Sequence, residues 1–436
     1  MKLVPIDQIR IGMFVKLDLG WFDHTFSKSS FKIVNEQQIV QLRALKLASI
    51  RIVLAKSDPA VLAAPKAVPK VSAPVSVPVS PPAPGVIMVV DSIVEAKMER
   101  AVKLQKQRAD IARCEDQFSM ASSVIKNIDS QIFSRPQQTL AEAAKLIDSI
   151  AQVFSSENDA LMHLIRYQQA GSQDMYFHTL NVAFVAMMLA NELKCTAVQL
   201  KAIGTAALFH DVGKVNIPAS IIKKTTPLSK AERNIYELHP SHGVEIGHKA
   251  GLDKSVLRVI ADHHEFVDGS GFPQGLTGNK LSLLTRIITV ANEYDNLCNH
   301  IDSAQSLTPH EALANMFSQR RSQFEPGIIA MLVKCLGIYP PGTLVRLSDN
   351  SFGLVVNVNV GMSLRPQILV YDEDIPADEA IILDLAQESD ALRIEESLRP
   401  GALPKAVFDY LRPSNRLSYL LDSKSKSKQK NATADA

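Results

Sequence analysis

Eight of the eleven histidines lie between His163 and His264, where even spacing would put roughly two or three. Several stand beside carboxylates at the ends of apolar runs. The apolar stretch Leu200–Phe209 leads straight into His210-Asp211-Val212-Gly213-Lys214. Adjacent His and Asp at the end of a buried helix each need a partner once removed from water. Neutral imidazole with carboxylate is also a ligand set for iron, manganese, zinc or nickel. Gly213 fits a helix stop in left-handed backbone, and Lys214 then extends from the loop, where it could hold an anionic phosphate. Asp174 and His178 are four residues apart, hence on one helix face. His239-Pro240 follows the charged run Lys230–Leu238. Val256–Asp262 ends in His263-His264-Glu265, and a Gly/Pro loop containing Asp268, Gly269, Gly271, Phe272 and Pro273 comes next. Five histidines with two carboxylates suffice for more than one metal. His163, His242 and His248 read as ordinary helix residues.

Competing chemistries fail by spacing. His263-His264-Glu265 is not H-E-x-x-H, and neither a P-loop nor a Rossmann fingerprint occurs. Four separated cysteines with no C-x-x-C pair exclude a zinc ribbon and a disulfide framework. A net charge of +2 gives no electrostatic case for DNA or RNA as a partner. No run of about 18 apolar residues occurs, so no membrane span is expected. With few cysteines and no signal-peptide pattern, the expected compartment is the cytoplasm.

The elements that position these residues read as mainly α. Residues 1–56 form a small α/β unit, with strands at Lys2–Ile6, Met13–Leu17 and Ser49–Leu54, a helix at Glu36–Leu47, and Trp21, Phe22, Phe26 and Phe31 as its core. Residues 57–87 are a Pro/Ala/Val-rich linker, with eight prolines between Pro59 and Pro84. Residues 88–157 are helical, the Thr139–Phe154 helix burying Ala143, Leu146, Ile147, Ile150 and Val153 on one face. Packing is their expected role, and a homodimer or signalling-protein contact is an alternative use. Residues 158–340 are helical and hold the histidines. Residues 341–410 alternate as a β-rich unit, and 411–436 end in a basic tail expected to be disordered.

From about Asp174 to Asp295 the chain resembles the HD-GYP subgroup of HD-domain phosphohydrolases. The resemblance rests on His178, His210-Asp211-Val-Gly-Lys214, His239-Pro240, and His263-His264-Glu265-x-x-Asp268-Gly269-x-Gly271-Phe272-Pro273-x-Gly275-Leu276. The N-terminal unit resembles the small domain often found ahead of such domains, through Gly12-Met13-Phe14-Val15 and Trp21-x-x-His24-x-Phe26. The resemblance implies an HD-type helical bundle holding two or three divalent metal ions, usually iron or manganese. It implies hydrolysis of cyclic di-GMP, a bacterial second messenger, to pGpG or GMP by a metal-activated hydroxide. The implied ligands are His178, His210, Asp211, His239, His263 and His264, with Asp174 for an additional metal. Lys214 is the motif lysine, and Asp295 matches an acidic position close to the substrate.

Three departures stand against this. The name-giving Gly-Tyr-Pro is Gly271-Phe272-Pro273, which loses a hydroxyl. The family's metal-binding Asp, 28 residues past the second His, is Asn292 here. The basic stretch that grips the dinucleotide is replaced by Asn299-His300-Ile301-Asp302, with Arg320 and Arg321 as the nearest substitutes. The sequence therefore leaves open a weak or silent nucleotide receptor or scaffold, and a phosphohydrolase of another nucleotide.

Overall fold

The structure is a computed structural model. It describes the chain except residues 20–25, 27–29, 63–101, 103–104, 108, 110–116, 129, 156–159, 165–173, 360, 374, 378–379, 381, 412–418 and 424–436, and the side chains of 60, 62, 153–155, 160–164, 174–175 and 419–423. Trp21, Phe22, most of the proline linker and the basic tail lie outside the described residues.

The N-terminal strands Lys2–Pro5, Phe14–Lys16, Ser30–Lys32 and Ser49–Ile52 form one antiparallel sheet in which the last strand inserts between the first two. Ser49–Ile52 alternates exposed and buried residues, the pattern of a sheet with one wet face. Its inner face packs on Ile39 and Leu42 of the Glu36–Ala44 helix, with Phe26 and Phe31 in the same core. Asn35 caps that helix by accepting from the Gln38 amide.

The histidines belong to a helical bundle built around Asp174–Glu192. Leu180, Val182–Met187, Leu189 and Ala190 of this helix are wholly shielded from water, the signature of a helix surrounded on all sides. Its small residues Ala183, Ala186 and Ala190 let Ala197–Phe209 and Leu283–Cys298 approach closely. The Pro136–Ser155 helix adds Ala143, Ile147 and Ile150 to the same core. Residues 117–128 are helical, and they add Phe118, Ala121, Ile125 and Ile128 at alternating spacings of three and four.

Past the bundle, five strands from Leu344 to Leu398 form an antiparallel sheet. One expectation is corrected here. The segment from 158 does not begin as helix: Ala160–Leu164 is a strand paired antiparallel with Tyr419–Ser423, and His163 lies in it. A five-residue apolar run does not by its periodicity distinguish strand from helix, and the partner is more than 250 residues away. Among the described residues no helix is long and apolar enough to cross a membrane.

Candidate metal centre

Three of the histidines share one local device. His210, His239 and His263 each sit at a helix terminus, and Nδ1 of each lies 2.7–2.8 Å from the carbonyl three residues back, on Ala207, Tyr236 and Ile260. A carbonyl only accepts, so Nδ1 carries the proton and Nε2 keeps a lone pair. His178 uses a side chain instead, with Nδ1 2.7 Å from Asp295 Oδ2.

The free nitrogens converge in pairs. His178 Nε2 and His210 Nε2 are 3.2 Å apart, and His239 Nε2 and His263 Nε2 are 3.3 Å apart. With both Nδ1 atoms protonated, each pair brings two lone pairs together without a proton to share. A cation between them removes the repulsion. Two ligands about 2.0–2.1 Å from one metal at cis or tetrahedral angles lie roughly 3 Å apart, so both pairs fit. Asp211 stands between them. Its Oδ2 is 3.4 Å from His210 Nε2 and 3.6 Å from His178 Nε2, and its Oδ1 is 3.5 Å from His239 Nε2 and 3.7 Å from His263 Nε2. One carboxylate thus faces both pairs, one oxygen to each. His264 completes the second group, its buried Nε2 lacking a protein partner.

The electrostatics agree with neutral ligands. Burial brings His239 down to about 3 and lowers His263 and His264 as well. Burial alone would raise Asp211, but His210 and the Lys214 ammonium beside it hold it well below the usual carboxylate range.

The packing explains the motif's glycines and its glutamate. Gly213 is not left-handed, contrary to the expectation. It lies in the 3-10 turn Val212–Asn216, and a Cβ there would stand 2.0 Å from the His239 carbonyl oxygen. The requirement is close approach of two ligand-bearing backbones. A Cβ on Gly271 would likewise meet the His264 carbonyl at 2.4 Å. Glu265, 1% exposed, has its carboxylate turned to the glycine loop, which it pins by accepting from the amides of Gln274 and Leu276. That loop lays the Phe272 ring on His264, stacked at 4.5 Å. Asp268 is exposed and accepts from Ser270 and Ser322, Gly269 turns with φ 80°, and Pro273 is exposed.

Other expected residues fall elsewhere. Asp295 is at the site but not placed to touch a substrate. It is buried behind His178, with Oδ1 accepting from Asn181 and Asn299. Lys214 does not extend; it folds back 2.5 Å onto Asp211 Oδ2. Asn292 is buried, its Oδ1 accepting from Asn296 and its Nδ2 without a partner. Arg320 is not free to replace the missing basic stretch, because Glu293 and Gln323 bind it and the Phe266 and Phe324 rings flank it. Arg321 is exposed. Asp174 opens its helix, and its side chain lies outside the described residues. Sequence reasoning missed Asn181, which lies three residues past His178 and so on the same helix face. It also missed Tyr236, whose ring lies 4.9 Å from that of His239.

Residues 133–328 match the HD domain family, and residues 1–143 match DUF3391, a domain of unknown function. The histidine-bearing bundle is thus similar to an HD domain. The chain is 26% identical over 374 residues to a cyclic di-GMP phosphodiesterase of Pseudomonas aeruginosa, covering 85% of each chain. It is 30% identical over 219 residues to the cyclic di-GMP phosphodiesterase response regulator RpfG of Xanthomonas campestris, covering 49% of this chain and 57% of that one. A 3'3'-cGAMP-specific phosphodiesterase of Vibrio cholerae is 31% identical over 163 residues, 37% of this chain and 35% of that one. The HD match contains all five converging histidines and Asp211.

Proposed function

We propose that this protein is a metal-dependent phosphodiesterase that hydrolyses cyclic di-GMP to pGpG, GMP or both, in bacterial second-messenger signalling in the cytoplasm. The observation that carries the reading is Asp211, with one oxygen toward each of two histidine pairs. His178 and His210 would hold one divalent iron or manganese ion, His239, His263 and His264 would hold a second, and Asp211 would serve both. Asn292 is an added neutral ligand, and Asp174 serves a third metal where one binds. Bound metals supply an activated water and offset charge on the phosphoryl oxygens.

The chain's own residues do the rest. Lys214, already at Asp211, places an ammonium beside the scissile phosphate. Phe272 forms an apolar wall over His264 that keeps water from that side and gives a base a ring to lie against. Gly269, Gly271 and Pro273 set that wall's position, and Asp268 ties the loop at its outer edge. No side-chain nucleophile is required.

The relatives named for cyclic di-GMP support this substrate class, and the one named for 3'3'-cGAMP marks the competing one. A nucleotide receptor without turnover is the second reading. It is favoured by Asn292, an amide in place of a carboxylate, and by Arg320 being held by Glu293. The test is metal analysis of the purified protein together with turnover of cyclic di-GMP and 3'3'-cGAMP by wild type, His210→Ala and Asp211→Ala. Full activity in both variants sinks the enzyme reading. Tight binding without turnover in iron- or manganese-loaded wild type selects the receptor.

A further inference from the structure

The carboxylate of Asp295 is 1% exposed, and a buried carboxylate is costly unless donors surround it. Three N–H groups do so. Oδ2 lies 2.7 Å from His178 Nδ1. Oδ1 accepts from Asn181 Nδ2 at 2.7 Å and from Asn299 Nδ2 at 2.8 Å. An amide set against a carboxylate must present its nitrogen, because two oxygens facing each other have no proton between them. Both asparagines therefore donate. Hydrogen bonds to an ionised acceptor are about twice as strong as neutral ones.

The placement of these donors matters more than their number. His178 and Asn181 are three residues apart on the Asp174–Glu192 helix, so they lie on one face. Asp295 comes from the Leu283–Cys298 helix and spans that pair, one oxygen to each. Asn299 closes the clamp from the end of Asp295's own helix, where its backbone amide also donates to the Asp295 carbonyl at 2.8 Å. With Oδ1 taken by two amides, the carboxylate cannot turn about its last bond without breaking both. Oδ2 is thereby aimed at His178. Asn299 opens the Asn299–Asp302 segment, which has no Lys or Arg to grip a substrate. Its side chain turns inward to Asp295 instead.

We propose that Asn181 and Asn299 are positioning residues for the His178–His210 metal position: they hold Asp295 so that its charge reaches His178, and so set how tightly that position binds a cation. The inference rests on the metal-centre reading above and deepens it at one of the two positions. A carboxylate hydrogen-bonded to Nδ1 raises the electron density that Nε2 offers to a cation. That effect depends on direction. An Asp295 able to turn away would orient His178 less well and deliver less charge to it.

The test is a manganese titration of the full-length protein against a competing chelator, which reads the two positions as separate steps. Asn181→Leu keeps the volume and removes the donor. It is expected to weaken the His178–His210 position by about 10-fold, the low end of what is lost with a partner behind a ligating histidine, and to leave the His239–His263–His264 position within about 2-fold of wild type. Asn299→Ala should cost less, about 5-fold, because water reaches that half-buried helix end and replaces part of the donation. A packing defect would also weaken binding, so both variants are repeated with Asp295→Asn. Once the charge is gone the asparagines have nothing to aim, and each further loss should shrink to within about 2-fold. A loss that persists undiminished beside Asp295→Asn, an equal loss at both positions, or no loss in either variant overturns the role. If Asn181→Leu does not fold, Asn299→Ala carries the same cycle from the helix end. Wild-type protein that takes up no manganese sinks the metal-centre reading itself, and the asparagine role with it. Wild-type uptake in two steps that neither variant alters sinks the asparagine role alone.

Discussion

The two halves of the candidate metal centre are built differently. His239 and His263 have no exposed surface, and backbone carbonyls orient both. Phe272 covers their neighbour His264. The other half opens to water: His178 is 13% exposed, and a carboxylate, Asp295, orients it. A carbonyl can only fix the tautomer of an imidazole. A carboxylate also raises its electron density and brings a negative charge close to the metal. The inner half is thus held by the helix ends and the core; in the outer half His210 is held the same way, and His178 by a replaceable side-chain network. Cations should bind tightly and exchange slowly in the inner half, and respond to substitution in the outer half.

The largest effect should come from the residue that joins the halves. Asp211→Asn keeps the volume and removes the shared charge. Metal content should fall by at least one ion per chain, and turnover by on the order of 10³-fold or more, given what one well-placed charge-stabilising group contributes. Elemental analysis and a turnover assay check both. Unchanged metal content would mean that the halves do not share this carboxylate.

Next comes a substitution meant to separate the halves. Asp295→Asn leaves every proposed ligand in place. It should weaken the His178–His210 position by about 10–100-fold, the usual cost of losing a partner behind a ligating histidine. The inner position should hold its metal. Titration with manganese in the presence of a chelator distinguishes a single weakened step from a uniform loss. A uniform loss would erase the distinction between the halves.

The inner half was more legible in the sequence than the outer one. Helix ends announce themselves: an apolar run stopping at His263-His264 says where the side chains emerge, as the run stopping at His210 does for one residue of the outer half. The partner carbonyls then follow from helical geometry. The role of Asp295 was not legible, because 117 residues separate it from His178 and only tertiary packing of the Leu283–Cys298 helix joins them. Gly213 shows the same limit. Its presence at a helix end pointed to left-handed backbone, yet the cause is His239, brought against it from the next helix. The Ala160–Leu164 strand failed for a third reason: a strand whose partner is in the last twenty residues carries no local signal of pairing.

Buried neutral histidines also make the metal-free protein acid-sensitive, and more so through the inner half. His239 titrates near 3 in the folded chain and about 6.5 when unfolded. Between those values the unfolded chain binds the extra proton. Stability is therefore full above about pH 6.5 and falls toward pH 3, by about 1.4 kcal/mol per pH unit for one such group. His263 and His264 shift in the same direction. Thermal midpoints of metal-free protein should drop between pH 7 and 5, and His239→Gln should flatten that slope. A midpoint that does not move over this range would mean that water reaches the inner histidines.

The smallest effect concerns Asn292, one helical turn before Asp295 and on the same face. Its buried Nδ2 has no partner, and amide nitrogen and oxygen are assigned by their surroundings. Turned over, the side chain would present a free oxygen where the unpartnered atom lies. If that oxygen faces a metal, Asn292→Asp adds a charge where a cation can use it. Metal affinity should rise by up to about 10-fold, or about 1.4 kcal/mol. The metal-free variant should be less stable than wild type, since a buried carboxylate without a cation is costly. The two effects together are the signature, and thermal midpoints with and without manganese read both. Loss of stability that manganese does not restore would place residue 292 away from the metal, and the outer half would then have Asp211 as its one carboxylate ligand among the described residues.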